Sequence, residues 1–249
     1  MRESVLKAFV AKGFLPPKEV AHWRVPGRDE SPQPQTDEVV SFLTFHERGL
    51  GYPTHWFLRG LLNEWGLELQ HLNPMGVLHI TSFVTIYEAF LGMEPHADFF
   101  QWLFSLRALT VGDPTKVAPV GGFTLQRKSD MGDSYPMYLP YDSNRGWHEE
   151  WFYIRNPAAV SFPTFPGGRP EKQDSWTWGC AKKEKHKVRV IEEELRKLVK
   201  SGLNGVRVFH TLYHRRVMPL AKKRRPMWLY SGPSDPDRAS SEDLSDDEV

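Results

Sequence analysis

Two histidines stand four residues apart in HTLYH, His210 and His214, a spacing that puts both imidazoles on one helical face where a zinc ion would bridge them. A zinc hydrolase built on such a pair needs a glutamate directly after the first histidine as its base, and a third ligand. Thr211 takes the position of that glutamate, so the pair is expected to be two partly exposed side chains beside Arg215 and Arg216. His46 next to Glu47, and His71 with His79, offer still less. Clustered carboxylates are another route to metal chemistry, since two ions held between them activate the attacking and leaving oxygens of a polynucleotide. Asp98, Asp113, Asp130, Asp133, Asp142, Glu149 and Glu150 are available, most of them in Gly/Pro-rich sequence where acids are ordinarily solvated. Nucleophilic catalysis has little to build on: there is no Gly-x-Ser-x-Gly elbow, and Cys180 has no histidine nearer in sequence than His186. Gly121 with Gly122, and Gly167 with Gly168, lack the lysine and spacing of a phosphate loop and read as turns. The expectation is therefore no catalytic residue, no metal and no cofactor.

Basic side chains give the stronger signal. The formal net charge of +1 hides a segregation: Ala181 to Arg225 holds 15 Lys or Arg against 4 Glu, whereas the last 16 residues carry 7 acids and one Arg. Two clusters stand out, AKKEKHKVR at 181–189 and LAKKRRP at 220–226. Lys222, Lys223, Arg224 and Arg225 are the first candidates for nucleic-acid contact or nuclear import, with Arg215, Arg216, Lys182 and Lys183 beside them. The plain alternative is a solvated helix face followed by a disordered end. Among the nine tryptophans, Trp56, Trp65 and Trp102 fall at helical core spacing, while Trp176 and Trp178 alternate as on a strand and are the pair to test for base stacking.

The elements that must position these groups read as mainly α. A short helix is expected over 3–12, with Ser4 near its cap and Val5, Leu6, Phe9 and Val10 on one side. Residues 1–38 form an N-terminal arm whose end, PGRDESPQPQTDE, is a Pro-rich linker. A helical core spans 39–108: Thr54 caps a helix ending at Trp65 before Gly66, Asn73-Pro74 starts a second that Gly92 stops, and a third follows Pro95 through Phe99, Trp102, Leu103 and Leu106. Residues 109–180 are loop-rich, with short strands near VGGFTLQR and EEWFYIRN. Residues 181–230 restore helical periodicity, through Val190, Ile191, Leu195, Leu198 and Val199 and then over Val206 to Val217, and 231–249 form a disordered acidic tail. The N-terminal 17 residues have only short apolar pieces, so neither a signal peptide nor a membrane span is expected, and a single cysteine fits a reducing compartment, nucleus or cytoplasm.

The segment FHERGLGYPTHWFLRGLLNEWGLELQHLNP, followed by FVTIYEAFLGMEPHADFFQWLF, resembles the plant gypsy-type transposon (transposase-like) domain family. AHWR at 21–24, GWHEEWFYIRN at 146–156 and HRRVMPLAKKRRPMWLY at 214–230 are similar to later parts of those retroelement proteins, so the resemblance spans most of 15–238. It carries over no catalytic residue. The protease loop Asp-Thr-Gly, the polymerase turn Tyr-x-Asp-Asp and a zinc knuckle are missing, which reads as a detached piece of an element. The function this implies is a retrotransposon-derived, non-catalytic structural or nucleic-acid-associated module. Two alternatives stay open, a divergent metal-dependent transposase or nuclease using Asp142 or Glu149, and a relic with no function. Expected partners are RNA or DNA, a nuclear-import receptor, or further copies of the chain, and no membrane.

Overall fold

The computed structural model describes residues 1–109, 118–128, 135–140, 145–165, 170, 174–177 and 179–217, with only the backbone of Val160, Asp174, Ser175, Arg215 and Arg216. Trp178, Lys222 to Arg225, Asp113, Asp130, Asp133, Asp142 and the acidic tail lie outside the described residues.

Among the described residues the architecture is mainly helical with two small sheets. Its helices are α1 (Glu3–Lys12), α2 (Lys18–Ala21), α3 (Leu43–Glu47), α4 (Trp56–Trp65), α5 (Pro74–Thr85), α6 (Ala97–Leu103), α7 (Lys185–Lys200) and α8 (Gly205–Leu212). The strands are β1 (Glu38–Phe42), β2 (Phe104–Ala108), β3 (Phe123–Arg127) and β4 (Trp151–Arg155).

Helix α5 is the axis of the core. Asn73 accepts the Gly76 amide at 2.7 Å and Pro74 supplies a preset first position, as the Asn-Pro pair predicts. Beyond Thr85 the helix continues as a π turn, Ile86–Leu91, until Gly92 closes it with φ 68°. Residues 74–91 are long and apolar enough to cross a bilayer, yet 89% of that stretch is buried inside the protein, where it acts as a core helix. Phe83 stacks on Phe57 of α4 at 5.4 Å and meets Phe100 of α6 edge-on at 5.0 Å. Such aromatic pairs add roughly 0.5–1.5 kcal/mol each beyond the area they bury.

The start of α4 differs from the expected Thr54 cap. Thr54 Oγ1 donates to the Gly51 carbonyl at 2.8 Å, and the cap is His55, whose Nδ1 accepts the Phe57 amide at 3.1 Å. In α1 the capping position is Arg2 rather than Ser4, and no side chain caps it. Trp56, expected in the core, is 49% exposed, because the cap at His55 turns it outward while Phe57, Leu58, Leu61, Leu62 and Trp65 face inward.

The two predicted strands β3 and β4 form, but their partners come from the segment read as wholly helical. β2 and β3 pair antiparallel, Phe104 opposite Arg127 and Ala108 opposite Phe123, so Leu106 lies in a strand and not in the last turn of α6. β1 pairs antiparallel with β4, Glu38 opposite Arg155 and Phe42 opposite Trp151. Both β1 and β2 are five-residue runs adjoining helices, where a short apolar stretch fits either period.

The N-terminal arm is packed into this core. Leu6, Phe9, Leu15, Ala21 and Trp23 are buried, and Arg24 exchanges two backbone hydrogen bonds with Tyr153 of β4. Arg24 also lies 3.7 Å over the Tyr153 ring and grips Glu38 through Nε and Nη2 at 2.7 and 2.6 Å. Burial would raise the Glu38 carboxyl, but the bonds from Arg24 and the Gln35 amide outweigh it and hold the group below the usual range. Tyr153 Oη donates to Asp29 and accepts the Gln33 amide, so the Pro-rich stretch is fastened at two points along its length.

Candidate functional site

Of the basic residues singled out in the sequence, Lys182 and Lys183 sit in a 3₁₀ turn, Lys182–Glu184, that runs directly into α7. Lys185, Lys187 and Arg189 follow on the first turns of the helix. All five side chains are exposed. Val188, Ile191 and Leu195 form the buried stripe that seats α7 against α6 and the π turn, which turns the intervening cations to solvent. None of the five makes an ion pair among the described residues, whereas further along Glu192 pairs with Arg196 at 2.7 Å and Glu194 with Lys197 at 2.6 Å. Cations at the N-terminal end of a helix oppose its dipole, at a cost of about 0.3–1 kcal/mol for a charge in the first turn. Exposed cations grouped in this way raise the local positive potential that a polyanion would meet.

The other predicted positions divide by where they fall. Arg215 and Arg216 belong to the π turn Tyr213–Val217 after α8, where only their backbone is described, and Lys222, Lys223, Arg224 and Arg225 lie outside the described residues. His210 and His214 do share one face, with ring centroids 4.0 Å apart, and both are exposed; they belong to no cluster of three ligands among the described residues. Trp176 is buried, donates Nε1–H to the Trp65 carbonyl at 2.9 Å and packs edge-on to Phe123, so it offers no platform for a base. Its 3₁₀ turn, Asp174–Thr177, replaces the expected strand.

Glu149 and Glu150 line an open cleft of about 590 Å³ with Glu47, Arg48, Arg145, Trp147 and Tyr213. Its charges are of both signs, and Asp98 lies in a different cluster.

Two pairs with catalytic-looking chemistry occur in the interior, and the sequence gives no sign of either. Ser41 Oγ is 3.0 Å from His46 Nε2, the contact of a nucleophile and its base. Both side chains are sealed from solvent, and burial holds the His46 imidazole down at about 4, only partly offset by backbone groups of Leu50 and Phe14. The second pair is His55 with Glu88, 2.8 Å apart and buried. Because Nδ1 of His55 accepts the Phe57 amide, its ring proton is on Nε2 and is donated to Glu88 Oε1. Both nitrogens are thus committed, one to capping α4 and one to fastening it to the π turn that carries Glu88. Glu88→Ala is expected to destabilise the protein by about 3 kcal/mol, by leaving a buried donor unmet, and Glu88→Gln by far less because it still accepts the bond. Urea denaturation of the two variants measures the difference, and equal losses would refute this account.

A third grouping lies beside the basic turn. His96 and Asp98 at the start of α6 meet Glu184, with one donor atom of each within 4.8 Å of the others. His96 Nδ1 accepts the Phe99 amide at 3.4 Å, and Nε2 is 3.6 Å from Glu184 Oε2. Asp98 Oδ1 accepts the Ala181 amide at 3.0 Å. Burial, with the Lys187 charge, lowers the His96 imidazole below its ordinary value despite Asp98 and Glu184. Burial and the same two carboxyls push the adjacent Cys180 thiol up. In sequence the only signal was His-x-Asp after Pro95, too common a spacing to point to Glu184.

No curated protein and no solved structure matches the chain. Residues 39–108, from β1 to β2, match the family model Transposase_28, described as "Putative gypsy type transposon", which links that stretch of the chain to a gypsy-type, transposase-like domain.

Proposed function

We propose that the chain is a non-catalytic, nucleic-acid-associated module of a plant gypsy-type element, working in the nucleus or cytoplasm. The observation that carries this reading is the set of five exposed cations at the start of α7, Lys182, Lys183, Lys185, Lys187 and Arg189, none of which has an ion-pair partner among the described residues. A row of phosphates is the ligand whose charge suits such a face, through release of condensed counterions. The non-catalytic half of the reading draws on the two buried pairs, Ser41 with His46 and His55 with Glu88, whose polar atoms hold the fold together away from any substrate.

The test is a salt titration of the purified protein against labelled single-stranded RNA and duplex DNA. Replacing Lys182, Lys183, Lys185 and Lys187 together with Gln is expected to weaken binding at low salt by tenfold or more. The slope of log affinity on log salt should fall by roughly three to four for duplex DNA. A second variant neutralising Lys222, Lys223, Arg224 and Arg225 separates the two clusters. Absence of binding to either polymer at low salt would overturn the proposal. Retained import-receptor binding in that case would favour a nuclear-localisation role for the same lysines.

A further inference from the structure

Two carboxyl groups and an imidazole from separate segments of the chain meet beneath the basic turn. His96, Asp98 and Glu184 are all partly buried, and each contributes a donor atom within 4.8 Å of the other two. Like-charged carboxylates held this close repel unless a cation lies between them. Lys187 acts on His96 only through space, and neither it nor Lys185 forms an ion pair with Asp98 or Glu184 among the described residues. Asp98 is placed by the Ala181 amide, and its second oxygen takes no partner among the described residues.

We infer that His96 Nε2, Asp98 and Glu184 form a binding site for a single zinc ion or a similar late first-row divalent cation. One imidazole nitrogen and two carboxylate oxygens match the donor set of such ions and leave a coordination position for water. Magnesium and calcium, which take six or more oxygens, are poorly served by it. The tautomer of His96 sharpens that choice. Nδ1 accepts the Phe99 amide, which leaves the ring proton on Nε2. Metal binding moves that proton to Nδ1 and surrenders a bond that is long, at 3.4 Å. Only an ion with strong affinity for imidazole offsets this loss.

The consequence for the fold is a clasp. Glu184 belongs to the turn that carries Lys182 and Lys183, while His96 and Asp98 belong to the core, so the ion fixes the basic end of α7 to α6. The inference stands whether or not that basic face binds nucleic acid.

The experiment is a zinc titration of the tag-free full chain against a chromogenic chelator, with thermal unfolding followed in parallel. The expected result is one tight zinc per chain and a zinc-dependent rise in Tm. Asp98→Asn and Glu184→Gln, which keep shape and hydrogen bonding, each weaken binding by at least about tenfold and remove the rise in Tm. His210→Ala, which disables the other histidine pair, leaves both readouts unchanged. Three results would overturn the inference: no rise in Tm with zinc in the wild-type chain, magnesium acting as well as zinc, or binding that survives Glu184→Gln and disappears with His210→Ala.

Discussion

Lowering the pH from 7 to 4 is expected to unfold this protein. His46 and His79 are both buried, and burial holds each imidazole down at about 4, with the charge of Arg127 adding to the effect at His79. In the unfolded chain each titrates near 6.5. Between those values the unfolded state binds protons that the folded state refuses, so stability rises with pH across the window. The contribution is fully present above about pH 6.5 and is lost progressively as the pH falls to about 4. Each histidine accounts for about 3 kcal/mol over that range. Together they are comparable with the roughly 5–15 kcal/mol that keeps an ordinary domain folded. Urea midpoints measured from pH 7 to pH 4.5 give the result directly. His79→Phe keeps a ring stacked on Phe104, where the imidazole now lies 5.5 Å away at 22°, and is expected to remove about half of the pH dependence. A midpoint that stays flat across the window would refute the account.

Gly205→Ala is expected to destabilise the protein by about 3 kcal/mol or more, although alanine is the better helix former by about 1 kcal/mol. A β-carbon at residue 205 would fall 2.0 Å from the Met137 carbonyl oxygen, 2.3 Å from its carbonyl carbon and 2.6 Å from the Tyr138 amide nitrogen. Those atoms are backbone, so the first turn of α8 or the segment that carries Met137 and Tyr138 must move. Moving either separates the Tyr138 ring from Phe209, now stacked at 4.4 Å. The opposite end of α8 is also close-packed but less severely, since a β-carbon on Gly49 would meet the side-chain atom Leu212 Cδ2 at 2.9 Å. The sign of the change in Tm is decisive, because a stabilised Gly205→Ala variant would show that this close approach does not exist.

What could be read from the sequence follows from how local each signal is. α5 was legible because Asn73 and Pro74 mark its start and Gly92 the end of the turn that continues it, and α7 because Ile191 and Leu195 keep helical spacing and Gly202 follows its last turn. Elements defined by distant partners were not. EVVSF and FSLRA become strands only because β4 and β3 lie beside them, and nothing within five residues states that. The π turn was equally invisible: it carries Glu88, whose partner His55 lies 33 residues away at the start of another helix. Trp176 shows the limit of alternation, since two residues cannot distinguish a strand from a 3₁₀ turn. Of the candidate site, Lys182 and Lys183 were legible as a charge run. His96, Asp98 and Glu184 were not, because folding alone brings them together.

The pairing of β1 with β4 bears on how the chain is made. As the polypeptide leaves the ribosome from its N-terminus, Val39, Val40 and Phe42 emerge with a bare strand edge, and their partners in β4 are translated more than a hundred residues later. Non-local pairing of this kind is slow, and an apolar edge left waiting is a target for aggregation or for a chaperone. The stretch that matches a transposon family ends at residue 108, before that partner exists. A nascent chain arrested there holds the recognisable part of the protein without the strand that closes it, and the unit that folds is larger than the unit that sequence comparison detects.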